Sequence, residues 1–173
     1  MSGPVSLTWT TRPETAGDRQ AVRDVVLAAF PTPEEADLVD ALRADAAWLE
    51  GLSIVSLTPD GTIAGHALLT RCHVDEAPAL ALAPCSVLPA YQRQGAGSAA
   101  IVAALEAARR QGENLVLVLG HPAYYPRFGF TPASGYGIRP PFDVPDEAMM
   151  ALALDDTRPV PAGTIRYPAA FGI

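Results

Sequence analysis

The chain has 173 residues, 49% apolar and 18% charged, with a mean hydropathy of +0.16; it is expected to fold as a single domain, residues 1–173, burying roughly two-thirds of its unfolded surface. That composition excludes a disordered chain. Nineteen acidic residues against twelve arginines, with no lysine, give a net charge of −7, which disfavours nucleic-acid binding, since that class normally carries a basic stripe. The longest apolar stretches, such as Ile54–Leu57 and Leu115–Leu119, fall far short of a bilayer span. Met1–Thr10 lacks the basic and apolar regions of a secretion signal. Two cysteines build no disulfide scaffold, so the expected compartment is the reducing cytoplasm.

In chain order, Val5–Thr10 alternates and reads as a first strand. Thr15 is a candidate N-cap for a helix carrying Ala21, Val22, Val25, Val26 and Ala29 on one face and ending at Pro31. Pro33-Glu34-Glu35 opens a second helix, with its acids at the positive end of the dipole and Leu38, Val39 and Leu42 facing inward. Leu52–Thr58 and Thr62–Val74, joined by Pro59-Asp60-Gly61, form an antiparallel hairpin. After a turn at Asp75–Pro78 comes the strand Ala79–Val87, then a helix from Gly97 to about Gln111. Leu115–Leu119 reads as a strand buried on both faces. A short helix around Tyr124–Phe128 follows, then two strands, one near Met149–Leu154, which reads equally as a helical turn, and one near Thr164–Tyr167. The crossover from 79–87 through the helix to 115–119 implies a right-handed parallel pair. The fold class is mixed α/β, with helices on both faces of the sheet.

The most informative stretch runs from Val87 through Gln92-Arg93-Gln94-Gly95-Ala96-Gly97-Ser98. It joins a strand to a helix and sets two glycines where the helix begins. Unpaired N–H groups and the dipole make such a place an anion site, glycine lets a phosphate come close, and Arg93 adds a fixed charge. A diphosphate is the natural ligand. A P-loop needs a lysine that this chain lacks. Gly95-Ala96-Gly97-Ser98-Ala99-Ala100 matches the dinucleotide pattern G-x-G-x-x-A, yet it does not follow its strand directly and Leu115–Gly120 offers no carboxylate. Coenzyme A is the third candidate.

Gln92-Arg93-Gln94-Gly95-Ala96-Gly97 resembles the Q/R-x-x-G-x-G/A signature of the GNAT superfamily of acyl-CoA N-acyltransferases. Val87-Leu88-Pro89 before it, Leu117 to Phe130 with Tyr125 four residues ahead of Gly129-Phe130, and Thr11-Arg12-Pro13-Glu14 before the first helix are similar to the same family. The resemblance implies a mostly antiparallel mixed sheet whose parallel fourth and fifth strands splay apart to admit the pantetheine arm. It also implies acetyl transfer from acetyl-CoA to an amine in a ternary complex, without a metal. The loop Gln92–Ser98 would hold the pyrophosphate, while main-chain groups of Cys85 and Val87 would pair with pantetheine. The Cys85 amide falls where the family polarises the thioester carbonyl, and Tyr125 where it protonates the departing thiolate. The Cys85 side chain itself reads as a small buried hydrophobe.

No carboxylate lies on Ala79–Val87, which departs from many relatives and leaves the general base open between His121 and a water chain. His66 and His73 read as structural, and the hairpin register keeps Cys72 from facing Cys85. The acceptor is a primary amine of a small molecule, peptide or protein, modestly favoured by the negative charge. A monomer or a homodimer fits equally. The competing reading is a CoA-binding sensor or interaction module that lost catalysis: the missing carboxylate favours it and Tyr125 opposes it.

Overall fold

The computed structural model describes residues 9–173, so most of the expected strand Val5–Thr10 lies outside the described residues. The first described strand, β1, is Thr10–Pro13. Thr15 and Asp18 close a capping box over the 3-10 turn Ala16–Asp18, which feeds α1, Arg19–Ala29. Val22, Val25 and Val26 are its buried stripe. Helix α2, Glu34–Arg43, starts one residue later than its proline suggests, because Pro33 is the N-cap. Its first turn carries Glu34, Glu35 and Asp37, as the helix dipole favours.

Strands β2 (Trp48–Leu57), β3 (Ile63–Val74) and β4 (Ala77–Val87) form an antiparallel meander. Helix α3, Ala96–Arg110, leads to β5, Leu115–Leu119. The tail adds β6 (Thr131–Pro132), β7 (Ile138–Arg139), β8 (Met149–Ala153) and β9 (Gly163–Arg166). Sequence patterning finds β8 and β9 but misses β6 and β7, two-residue strands too short to show a period. The sheet runs β1-β2-β3-β4-β5-β8-β6, with β9 pairing both β3 and β7.

Alternation along β2 divides the core. Leu52 and Ile54 pack toward α3 with Ala67 and Leu69, whereas Val55 and Leu68 pack toward α1 and α2. Helices therefore cover both faces. In β5, Val116 and Val118 join the α3 cluster while Leu115 and Leu117 join the one under the C-terminal segment, so its unbroken apolar run follows from burial on two sides.

Beside β5 the sheet opens. Along this parallel pair the matched positions are Leu80↔Val116 and Ala81↔Leu117; β4 then continues to Val87 with no partner on that side among the described residues. Between Leu69↔Leu82 and Ala67↔Cys85, Ala83 and Pro84 oppose the lone Leu68. Such a bulge bends its strand, and Pro84 brings no N–H to the ladder. The turn before β4 is tighter than the expected Asp75–Pro78, at Asp75-Glu76, and Cys72 faces Ala79. Cys85 faces Ala67, and both thiols are free.

Candidate active site

The split between β4 and β5 fixes which backbone groups are available. Leu88 N–H donates to the Ala64 carbonyl on β3 at 2.8 Å. Backbone polar groups alternate sides along a strand, so those of Ser86 also face β3, and those of Cys85 and Val87 face the opening. The residues singled out for pantetheine pairing and for the acyl oxygen thus present main-chain groups to the gap.

Gly95, the N-cap of α3, has φ +92°, and Arg93 sits at φ +63°, a left-handed conformation uncommon outside glycine. Ala99 N–H closes a helical bond on the Gly95 carbonyl at 2.9 Å, so the amides between them lack intrahelical partners. A cavity of about 460 Å³ lies over them, lined by Val87, Gln92, Arg93 and Gly95 through Ser98, with Tyr91, Tyr124 and Arg127 completing its wall. A Cβ on Gly97 would stand 2.9 Å from Val87 Cγ2, so a larger residue there would push into the wall. Gln94 is the exception among the predicted loop residues. Its side chain turns back to donate to the Ala90 carbonyl at 3.1 Å, and its own carbonyl accepts from Trp9.

Tyr124 belongs to the cavity wall. Its hydroxyl is 2.8 Å from Ser98 Oγ, and the Arg127 guanidinium lies 4.3 Å from its ring centroid. Tyr125, its ring edge-on to Tyr124 with centroids 5.1 Å apart, also packs edge-on against Phe130 within the α3 core. Its hydroxyl meets the Cys85 thiol, and burial, with Cys85 beside it, holds the phenol above its ordinary range. Burial pushes the Cys85 thiol up to about 12, partly offset by the neighbouring Tyr125 hydroxyl. Both shifts favour the protonated forms at neutral pH. His121 is exposed at the end of β5, where its carbonyl accepts from the Tyr124 and Tyr125 amides at 3.0 and 3.4 Å.

A second polar cluster, unforeseen in the sequence, lies across the sheet on the α1–α2 side. Arg43 donates to both oxygens of Glu14 at 2.8 and 3.0 Å, with the two side chains 11% and 7% exposed. Ser53 donates its hydroxyl proton to Glu14. His66 Nε2, 2.7 Å from Ser53 Oγ, must then be the donor, leaving Nδ1 a buried lone pair with no partner among the described residues. Burial, with the Arg43 charge, pulls the imidazole down to about 3. A serine, a histidine and a glutamate in contact suggest a hydrolytic triad, but here the carboxylate holds the serine rather than orienting the histidine. The expectation that His66 is structural agrees with this setting. Arg127, Ser56 and Trp9 are further residues the sequence reading did not single out; a cationic or donor side chain far along the chain from the loop gives no local signal.

The parallel pair splits beside a helix start, so backbone groups of β4 and of α3 left unpaired among the described residues lie on the same side of the sheet. Residues 19–130 match the model of the acetyltransferase (GNAT) family. The chain belongs to that family, as its loop signature suggested. It is 38% identical over 135 residues to the uncharacterized N-acetyltransferase YjhQ of Escherichia coli K12, covering 75% of this chain and 74% of that one. Among solved structures, the GNAT family N-acetyltransferase YhbS of Escherichia coli, in complex with CoA, superposes with a TM-score of 0.88 at 25% identity, covering 100% and 96% of the two chains. A GNAT family acetyltransferase from Brucella melitensis, in complex with acetyl-CoA, gives 0.77 at 31% identity over 95% and 98%. Among the described residues no group of side chains could hold a metal ion, and no helix is long and apolar enough to cross a membrane.

Proposed function

We propose that this chain is an acetyl-CoA-dependent N-acetyltransferase acting on a primary amine by direct attack in a ternary complex. The observation that carries the reading is the split, into which the backbone groups of Cys85 and Val87 turn beside the free amides of the α3 N-terminus. The cavity fits the cofactor: it is floored by peptide N–H groups, flanked by Arg93 and Arg127, and shaped at Gly97 so that a Cβ would crowd it. When bound, acetyl-CoA supplies the activated acyl group.

The chain's own residues then have distinct tasks. The amides of Gly95 through Ser98 hold the diphosphate, since the Gln92 amide is already bonded to the Pro89 carbonyl and Gln94 does not line the cavity, and Val87 pairs with the pantetheine arm. The Cys85 amide donates toward the acyl oxygen, worth about 3 kcal/mol to the transition state. The Cys85 thiol, protonated against Tyr125, packs rather than attacks. Tyr125, held neutral by burial, keeps a proton available for the sulfur that leaves. His121, at the open end of β5, is the side chain proposed to receive the amine's proton.

Calorimetric titration with acetyl-CoA should show micromolar or tighter binding, and Gly97→Leu should weaken it at least a hundredfold. Release of free CoA thiol across a library of amines, amino acids and peptides should then identify the acceptor. Binding without thiol release for any amine would turn the assignment to a non-catalytic CoA-binding module; no binding would remove both.

A further inference from the structure

The Gln94-Gly95-Ala96-Gly97 junction is fastened at two alternate carbonyls from outside the loop. Trp9 Nε1–H donates to the Gln94 carbonyl at 2.7 Å, and Ser56 Oγ–H on β2 donates to the Ala96 carbonyl at 2.9 Å. In a trans peptide the C=O of one residue and the N–H of the next point in opposite directions. A Gln94 carbonyl drawn toward Trp9 therefore sends the Gly95 N–H away from Trp9, and an Ala96 carbonyl drawn toward Ser56 sends the Gly97 N–H away from β2. Gly95 and Gly97 line the cavity, and neither Trp9 nor Ser56 does.

Both anchors are themselves fixed. The Trp9 ring meets Tyr91 edge-on with centroids 5.8 Å apart, and a Cβ on Gly95 would lie 3.5 Å from its Nε1. Trp9 directly precedes β1, whose Thr10 and Thr11 pair with Leu57 and Ser56. The two donors thus belong to one paired corner of the sheet, while the carbonyls they hold flank the left-handed Gly95.

We propose that Trp9 and Ser56 are positioning residues that aim the Gly95 and Gly97 amides at the cofactor diphosphate. The inference rests on the acetyl-CoA reading above and adds the source of the loop's orientation. A loop of unrestrained peptides would have to find this arrangement on binding, whereas the two donors set it beforehand.

The test uses the full chain, with Trp9→Phe, which keeps a ring and removes the N–H, and Ser56→Ala. Each should raise the acetyl-CoA dissociation constant roughly fivefold, the scale of one lost hydrogen bond. Neither should change the binding of acetyl-pantetheine, which lacks the diphosphate, as followed by the ¹³C-acetyl resonance at millimolar concentration. Amide NMR gives a site-resolved readout: on adding CoA to wild type the Gly95 and Gly97 signals both move downfield. Trp9→Phe should blunt the Gly95 response and spare Gly97, and Ser56→Ala should do the reverse. Wild-type affinity in both variants, or equal weakening toward acetyl-pantetheine, overturns the proposal while leaving the acetyltransferase reading standing. Wild type that ignores CoA overturns both. Should Ser56→Ala fail to fold, the Trp9→Phe results decide.

Discussion

Two polar regions flank the middle of the sheet, and they are built from opposite materials. At the start of α3 the candidate groups are peptide amides under an open cavity, uncharged and oriented by conformation: positive φ at Arg93 and Gly95, and carbonyls held by Trp9 and Ser56. Under α1 and α2 the groups are side chains, buried and linked in a row from Arg43 through Glu14 and Ser53 to His66. In the first region the amides between Gly95 and Ala99 have no intrahelical partner. The second has spent almost all of its hydrogen bonds internally, His66 Nδ1 and Arg43 Nε excepted. One region is the proposed binding site, while the other ties β2, β3, α2 and the segment after β1 together.

That contrast is broken most directly at Arg43. Arg43→Met keeps the apolar stem but leaves the Glu14 carboxylate buried without its bidentate partner. Removing one member of a buried pair costs on the order of 3–5 kcal/mol. Urea unfolding should show that loss with an unchanged slope, while the folded variant binds acetyl-CoA as wild type does. A loss below about 1 kcal/mol would mean that the cluster is no stabilising strut, and weakened acetyl-CoA binding would join the two regions into one.

Tyr125 sharpens the cofactor side of the comparison, because there a side chain is proposed for the chemistry in a site otherwise made of backbone. Tyr125→Phe preserves the ring packing against Phe130 and Phe128 and removes the hydroxyl that meets Cys85. With the amine found in the thiol-release screen, kcat should fall roughly a hundredfold, within the range of a lost general acid, with acetyl-CoA affinity within about twofold of wild type. An unchanged kcat would assign Tyr125 to packing alone.

The same contrast explains what could be read in advance. The loop was legible because backbone sites need glycine at fixed spacing, and Gly95 and Gly97 sit where the helix begins. The split was legible as far as the crossover through α3 required a parallel pair; Pro84 was visible, but the bulge depends on how β3 registers against it. The buried row was illegible. Its four residues come from β2, β3, α2 and the segment after β1, and an Arg, a Glu, a Ser and a His in isolation look like ordinary surface or strand residues. His66 looked structural by position alone; what holds it required Ser53 to be seen at its side.

The smallest effect expected is also the most specific, and it falls on His66. Its folded-state pKa of about 3 lies below the ordinary 6.5, so between those values the unfolded chain binds a proton that the folded chain refuses. Stability therefore rises with pH across that window and is lost as pH falls from about 6.5 toward 3. The loss should amount to roughly 1.6 kcal/mol between pH 6.5 and 5, the slope rising from half of 1.36 kcal/mol per unit at pH 6.5 toward its full value at pH 5. Asp18, whose carboxyl is held below its ordinary range by the hydrogen bond from Arg12, begins to contribute only nearer 3.8, leaving the upper part of the window to the imidazole. His66→Gln can still donate to Ser53 but takes up no proton, so its denaturation midpoint should vary less between pH 6.5 and 5 than that of wild type. Parallel curves for the two proteins would mean that the imidazole is protonated in the folded chain, and the α1–α2 side would then hold a titrating group rather than a closed row of spent hydrogen bonds.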